Sequence, residues 1–288
     1  PTCIQPASKT HFHGNLYIYH QRKHMANTLF IGKVYLRFDE LPSTNDYAAE
    51  LLLSAGPSAG LAYTKSKPAE GTVVWADSQS AGRGQFGSRW ESAAGKNLTF
   101  SVILYPSWLE IGAQFHLSMA VALAVHDAVS SLTDGEFPVR IKWPNDLYIG
   151  NRKTAGILIQ NALAGTSIQS SIVGIGLNVN QLDFDPTLPN PTSLALSFGH
   201  AFDLGGVADT IFECLERRYL QLKAGQAAQI KSAYEGLLYR RGVESNFTDT
   251  STGVDFTGII LGVTEAGQLR VLTEQGERTF GVKEIVYR

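Results

Sequence analysis

Cysteine is nearly missing from this chain. The two present, Cys3 and Cys214, can build neither a disulfide framework nor a cysteine-based metal site, and their rarity suits a reducing compartment such as the cytoplasm. Net charge is equally scarce. A formal value of −2 at pH 7 gives no overall basic field for nucleic acid, so any anion must be bound by a local cluster. Long apolar runs are lacking too: the nearest, Met119–Val129, is interrupted by His126 and Asp127, which argues against a membrane span. No standard phosphate signature is present either. Gly95-Lys96 lacks the glycine and the Ser/Thr of a P-loop, and Gly82–Gly87 does not open a helix after a strand of a βαβ unit. Acidic residues are missing from residues 1–38, which hold Lys9, Arg22, Lys23, Lys33, Arg37, His11, His13, His20 and His24. These histidines show no spacing joined to other metal ligands. The segment also has no apolar core suited to a secretion signal, and it reads as an upstream extension with Met25 as a natural start.

What is there suits a globular protein. Hydrophobic residues make up 44% of 288 residues, enough for one large domain or one large plus one small. Alternation predicts strands at Lys33–Phe38, Gly71–Asp77, Leu98–Tyr105 and Ser171–Val179. Val139–Trp143 reads as a strand stopped by Pro144, and Gly150-Asn151 signals a hairpin between Leu147–Ile149 and Thr154–Gln160. Helical periodicity marks Gln114–Ser131, Gly206–Gly225 and Ala227–Tyr239, and a helix after Leu41 would be capped by Ser43 or Thr44. Thr192–Phe198 reads as a short helix, and Gly56–Ala69 as a loop. From about Arg241 the pattern changes to short strands with glycine turns: Phe256–Leu261, Gln268–Thr273, Glu277–Val282 and Ile285–Tyr287. The expectation is an α+β fold, a mixed or antiparallel sheet backed by helices, with a small C-terminal β-barrel-like domain.

Four clusters carry chemistry. The first is Gly82-Arg83-Gly84-Gln85-Phe86-Gly87-Ser88-Arg89-Trp90. Its glycines make ordering costly, yet they let backbone N–H groups and two guanidiniums approach an anion. The second is Lys142-Trp143-Pro144-Asn145-Asp146 with Arg152-Lys153 and Ala155-Gly156-Ile157-Leu158. There a strand, a proline break and a hairpin gather Lys142, Asn145, Asp146 and Lys153 near one sheet end. The third, Ser43-Thr44-Asn45, puts hydroxyls and an amide at a positive helix end. The fourth, Gly174-Ile175-Gly176-Leu177-Asn178-Val179-Asn180, has two glycines in a strand pattern, which implies close approach of a backbone or a ligand.

Taken in this order, from Leu41 to Arg288, and with Gln79 just before the glycine-rich loop, these clusters resemble the biotin protein ligases. The combination of Lys142–Asp146, the spaced Lys153 and Gly82–Arg83–Gly84 is the specific part. The resemblance implies a class II synthetase-like catalytic domain over 33–240 and an SH3-like β-barrel over 241–288, with 1–32 a poorly ordered extension. It implies that biotin is activated by ATP with Mg²⁺ to biotinyl-5′-AMP and is then passed to a lysine of a biotin carboxyl carrier domain. Arg83, Lys153 and Asp146 would be catalytic. Ser43, Thr44, Asn45, Gln79, Gly82, Arg83, Gly84, Gln85, Lys153 and Gly156 would bind biotin. Arg83, Arg89, Trp90, Lys142, Asn145, Asp146 and Asn178 would bind ATP or the adenylate. No direct motif marks a metal site, with Mg²⁺ expected near Asp146. Whether Asn145 and Asp146 serve Mg²⁺, or Asp146 takes the proton of the incoming amine, stays open.

Related ligases often carry basic residues where this chain has Gln85, Phe86 and Ser88, so its loop is less cationic and is expected to retain the adenylate less well. Lipoate ligases and octanoyltransferases are similar in fold, but the Lys142–Asp146 motif and the C-terminal β domain favour biotin. Some relatives also repress transcription. The residues before Ser43 show no helix-turn-helix pattern, so a ligase without DNA binding is expected. A homodimer stays open.

Overall fold

Strand parity decides where everything else lies. The computed structural model describes residues 16–18, 26–54, 66–133 and 137–288. Its main sheet is built from β1 (Leu16–Ile18), β2 (Tyr35–Leu41), β3 (Val73–Gln79), β4 (Leu98–Leu104), β5 (Val139–Lys142), β6 (Asp146–Ile149), β7 (Arg152–Ala164) and β8 (Ser167–Leu177). The strand order is β1-β2-β3-β4-β8-β7-β6-β5, antiparallel except for the parallel pair β2–β3. That parallel pair needs a crossover, and α1 (Thr44–Ser54) lies within it.

Both faces of this sheet are used, differently. On one face Val73, Trp75, Leu98, Phe100, Val102, Leu104, Ala155, Ile157, Val173, Ile175 and Leu177 join one apolar core. This core is covered by α2 (Gln114–Leu132), α4 (Leu204–Lys223) and α5 (Ala227–Gly236). On the other face α1 covers a smaller cluster, Phe38, Leu41, Val74, Ala76, Ile103 and Ile172. Beyond α1, that face carries Thr99, Ser101, Gly156, Gln160, Gly174 and Gly176, because alternate residues of a strand face opposite ways. A sheet with one fully covered face and one half-covered face leaves a ready-made cleft.

A second, five-stranded antiparallel sheet follows, from β9 (Glu244–Asp249), β10 (Val254–Val263), β11 (Leu269–Thr273), β12 (Gly276–Phe280) and β13 (Ile285–Tyr287), in the order β12-β11-β10-β9-β13. This arrangement is consistent with a small SH3-like barrel. Strand β9 is not marked in the sequence, because Glu-Ser-Asn-Phe-Thr-Asp has one apolar side chain, Phe247, and no alternation. The short helix expected at Thr192–Phe198 is α3 (Leu194–Phe198), capped by Ser193 accepting from Leu196 N.

Two expectations change. Residues 26–32, assigned to a loose extension, are packed on the main body. Ile31 is fully buried, and the Glu216 carboxylate of α4 accepts from the backbone N–H groups of Leu29, Phe30 and Ile31. Most of the remaining extension, and residues 56–65 of the expected Gly56–Ala69 loop, lie outside the described residues. The segment Ile111–Leu132 is also long and apolar enough to cross a bilayer by composition, with a mean hydropathy of 1.3 over its most apolar window. His126 and Asp127 do not interrupt it enough to prevent that. It is nonetheless mostly buried between the sheet and the neighbouring helices.

Candidate active site

The uncovered half of the sheet forms a cleft of about 260 Å³ at the N-terminal end of α1. Its inner end is polar and closed. Ser43 Oγ caps α1 by accepting from Asp46 N at 3.3 Å, and Thr44 N donates to Gln79 Oε1 at 2.8 Å. Ser101 Oγ lies 2.8 Å from Thr44 Oγ1 and 2.7 Å from Asn45 Oδ1, while Asn45 Nδ2 donates to Gln160 Oε1 at 2.8 Å. Ser43, Thr44, Asn45 and Ser101 are all buried. Asn45 reaches this depth because Gly174 has no side chain: a Cβ there would sit 3.0 Å from Asn45 Cγ and nearer still to its oxygen. A buried polar set with its rotamers fixed by hydrogen bonds is what a small polar ligand requires.

The glycine-rich loop forms one wall. It folds back on itself: Trp90 N donates to Gly82 O at 3.0 Å and Gly84 N to Ser88 O at 2.7 Å. Arg83 Nη1 meets Asp46 Oδ1 at 2.9 Å, and Arg89 Nη2 reaches Ser80 O at 3.4 Å. Trp90 lies on a shelf made by Gly156 and Gly176, which are paired across β7 and β8. A Cβ at Gly176 would meet Trp90 Cζ2 at 2.7 Å, and one at Gly156 would meet Cζ3 at 3.1 Å. The indole Nε1 is buried without a hydrogen-bond partner.

The opposite wall is the β5–β6 turn. Trp143 and Pro144 are joined by a cis peptide bond. Trp143 Nε1 donates to Gly267 O at 2.9 Å, and Tyr234 Oη to Pro144 O at 2.9 Å. Asn145 is pinned to β7: its Nδ2 donates to Ile157 O, and Ile157 N donates to Asn145 O at 3.1 Å. Asp146 Oδ1 lies 2.7 Å from Lys153 Nζ, which stands 5.9 Å from the centre of the Trp90 ring. The backbone of Lys153 is held by Asn190 O and Thr192 N, both at 2.8 Å.

The structure therefore gathers Ser43, Thr44, Asn45, Gln79, Arg83, Gly84, Gln85, Arg89, Trp90, Asn145, Asp146, Lys153 and Gly156 around one cleft. Three expected site residues do not line it. Gly82 is behind the loop, where its carbonyl takes Trp90 N. Asn178 is buried, with Nδ2 donating to Thr192 O at 3.0 Å, so it braces the segment 190–192 that holds the Lys153 backbone. Lys142 runs the other way, its Nζ donating to Tyr148 Oη at 3.2 Å and standing 4.8 Å from the Tyr287 ring. Burial in this tyrosine slot pushes its pKa down, against the pull of Asp146 and with the help of Lys153 and Arg240. Burial likewise pushes Tyr148 up to about 12, with the Asp146 charge adding to it.

Sequence reasoning missed Thr99, whose parity on its strand is the only cue, and Val282 and Lys283, which reach the cleft from the second sheet. It also missed Ser101 and Gln160, which hold the polar end in place. Among the described residues no group of three or more His, Cys, Asp or Glu side chains could hold a metal ion. Among the described residues Asp146 is the one carboxylate lining the cleft. A Mg²⁺ fits here only as an ion carried on phosphate oxygens with one protein ligand.

The described fold and cleft have clear relatives. Residues 57–178 match the model of the biotin/lipoate A/B protein ligase family. The chain is 34% identical over 255 residues to the bifunctional ligase/repressor BirA of Bacillus subtilis, covering 86% of this chain and 72% of that one. It is 30% identical over 218 residues to the biotin–[acetyl-CoA-carboxylase] ligase of Paracoccus denitrificans, covering 74% and 89%. The solved biotin protein ligase from Aquifex aeolicus in complex with biotin and ATP superposes with a TM-score of 0.70 at 27% identity, covering 88% of this chain and 98% of that one.

Proposed function

Since this chain belongs to the biotin protein ligases, we propose a division of labour among its cleft residues for biotin activation and transfer. The enzyme is an ATP-dependent biotin–[acetyl-CoA-carboxylase] ligase. One observation carries the assignment of roles: a single cleft joins the capped polar end of α1, the folded glycine-rich loop and the Lys153–Asp146 pair.

In the first step a biotin carboxylate oxygen bonds to the α-phosphorus of ATP. The bond from that phosphorus to the pyrophosphate oxygen breaks, and pyrophosphate leaves with the electron pair. Ser43, Thr44, Asn45 and Gln79 hold the uncharged end of biotin. Lys153 draws the carboxylate in and then faces the adenylate phosphate, with Arg83 and Arg89 as the loop cations. Trp90 supplies an aromatic wall and an N–H donor with no other partner. Asp146 would be the protein ligand of a Mg²⁺ brought in on the triphosphate, which would neutralise part of the phosphate charge. In the second step a lysine amine of the carrier domain attacks the acyl carbon, the amide forms and AMP leaves. Asp146, which orients Lys153, takes the amine proton. Until the carrier docks, the closed loop keeps water from the mixed anhydride.

The reading takes 33–240 as the catalytic unit and 241–288 as the C-terminal unit, with the enzyme in the cytoplasm, where Cys214, a buried free thiol, stays reduced. DNA contact is not part of it. A homodimer is a separate expectation, checked by analytical ultracentrifugation. The test is ATP–pyrophosphate exchange with and without biotin, and transfer of labelled biotin or lipoate to a carrier domain. Exchange should depend on biotin, and Lys153→Ala should lower it about 10²–10³-fold with folding intact. Exchange indifferent to biotin would overturn the reading.

A further inference from the structure

The cleft has a contributor from outside the main sheet. Val282 and Lys283 belong to the turn between β12 and β13, yet both line it. That turn is tightly closed. Glu284 N donates to Gly281 O at 3.1 Å, and Gly281 N donates back to Glu284 Oε2 at 2.6 Å. Thr250 binds it twice, through its N–H to Glu284 O at 3.0 Å and its hydroxyl to Lys283 O at 2.6 Å. Within this frame Lys283 is held at φ +68°, the left-handed region that side chains avoid. Among the described residues Asn190, Arg240 and Lys283 are the non-glycine residues with positive φ, and only Lys283 lines the cleft. A strained residue, fixed by its surroundings and aimed at a site, points to a role there.

The position of the turn is not left to chance. Trp143 Nε1 bonds Gly267 O, Val263 N bonds Glu235 Oε1 at 2.9 Å, and Arg241 Nε bonds Leu261 O at 2.9 Å, so the second sheet is clamped to the wall that carries Asn145 and Asp146.

We propose that Lys283 binds the β- and γ-phosphates of ATP and stabilises pyrophosphate as it leaves. The proposal rests on the ligase reading above. Lys153 and Arg83 line the cleft with Arg83 held to the first turn of α1, and between them carboxylate and α-phosphate would react. The leaving group must therefore extend away from the α1 end, toward the exposed rim, and there the structure places a lysine. Pyrophosphate is also the product that departs while the adenylate stays, so a cation at the solvent-facing rim holds it only transiently. Charge builds on the bridging oxygen as the Pα–O bond breaks, and an ammonium at that end offsets it.

Lys283→Gly is the clean variant, because glycine accepts the left-handed backbone and removes only the charged side chain. In the full-length enzyme its KM for ATP in biotin-dependent pyrophosphate exchange should rise about tenfold or more, the loss of one charge-assisted hydrogen bond. Inhibition by added pyrophosphate should weaken in parallel. The KM for biotin should hold, and so should the rate of transfer from added biotinyl-5′-AMP to the carrier, a step with no pyrophosphate. Lys283→Arg should keep wild-type behaviour. An unchanged KM for ATP in Lys283→Gly overturns the proposal, as does an equal loss in transfer from preformed adenylate. If the wild type itself shows no biotin-dependent exchange, the ligase reading fails instead.

Discussion

Arg83 Nη1 stands 2.9 Å from Asp46 Oδ1, so the glycine-rich loop is latched to the first turn of α1. Both side chains are partly exposed, at 55% and 35%, and such pairs hold weakly. A phosphate, with more charge and better geometry, can take Arg83 from this partner. The latch thus keeps the loop near its working position without locking it.

Removing the latch should loosen the loop in the ligand-free enzyme. Asp46→Asn should be cut by trypsin at Arg83 or Arg89 about two- to fivefold faster than wild type, the scale of a partly exposed ion pair. Biotin with ATP should erase the difference. Equal cleavage of the two free enzymes would mean that the loop is held by its own hydrogen bonds alone.

Gln85 lines the cleft where a cation would add a phosphate contact. Gln85→Arg should slow release of biotinyl-5′-AMP about tenfold, the worth of one charge-assisted hydrogen bond. Release is read by trapping free adenylate with hydroxylamine. Identical release rates would show that retention does not depend on charge at this position.

The Gly156–Gly176 shelf makes a steric prediction. In Gly176→Ala the added methyl must push Trp90 off β8, so adenylate formation should fall about 10²-fold, the scale of a misplaced wall near the chemistry, while the melting temperature changes little. Trp90→Ala should lose activity too. Adding Gly176→Ala to Trp90→Ala should then cost nothing further, because the clash is gone. Additive losses would rule out the shelf.

A further prediction concerns stability, on the face away from the cleft. Partial burial alone would raise the Asp127 carboxyl, but the neighbouring His126 ring, hydrogen bonds from Arg218 and Arg217 and the Arg218 charge hold it down at about 2. A carboxyl whose folded pKa is depressed stabilises the fold above its unfolded value, given as 3.8, and loses that contribution as pH falls toward about 2. Asp127→Asn should therefore be less stable than wild type at neutral pH by about 2 kcal/mol. Urea unfolding should show this gap at pH 5 to 7 and a smaller one at pH 3. A gap that does not change with pH would assign the loss to packing.

Most of the fold was legible because its elements carry strong local signals. Leu98–Leu104 alternates into two cores, Ser43 caps α1, and Gly150-Asn151 turns a hairpin. Strand β9 escaped because backbone pairing to β10 and β13, not its own side chains, makes it a strand. The cleft was legible where a motif is local, as at Ser43–Asn45 or Arg83–Trp90. Lys142 misled because pairing does not decide which partner a long side chain takes: it sits opposite Asp146 across β5–β6, yet Asp146 meets Lys153 while the Lys142 ammonium turns to Tyr148 and Tyr287. Asn178 misled because a buried amide that braces a neighbour reads the same as one that meets a ligand. Lys283 was invisible, since nothing local says that a turn of the second sheet reaches across to the first.

The apolar core that packs under the main sheet continues without a break into Phe247, Ile260, Val263, Leu269 and Val271 of the second sheet, and the Trp143 indole is bonded to Gly267 across the same seam. For anyone building hybrids, the last strands are not an interchangeable cassette. A graft taken from a relative must bring its own partners for Trp143 and Glu235, or the turn carrying Asn145 and Asp146 loses its footing before a single cleft residue has been altered.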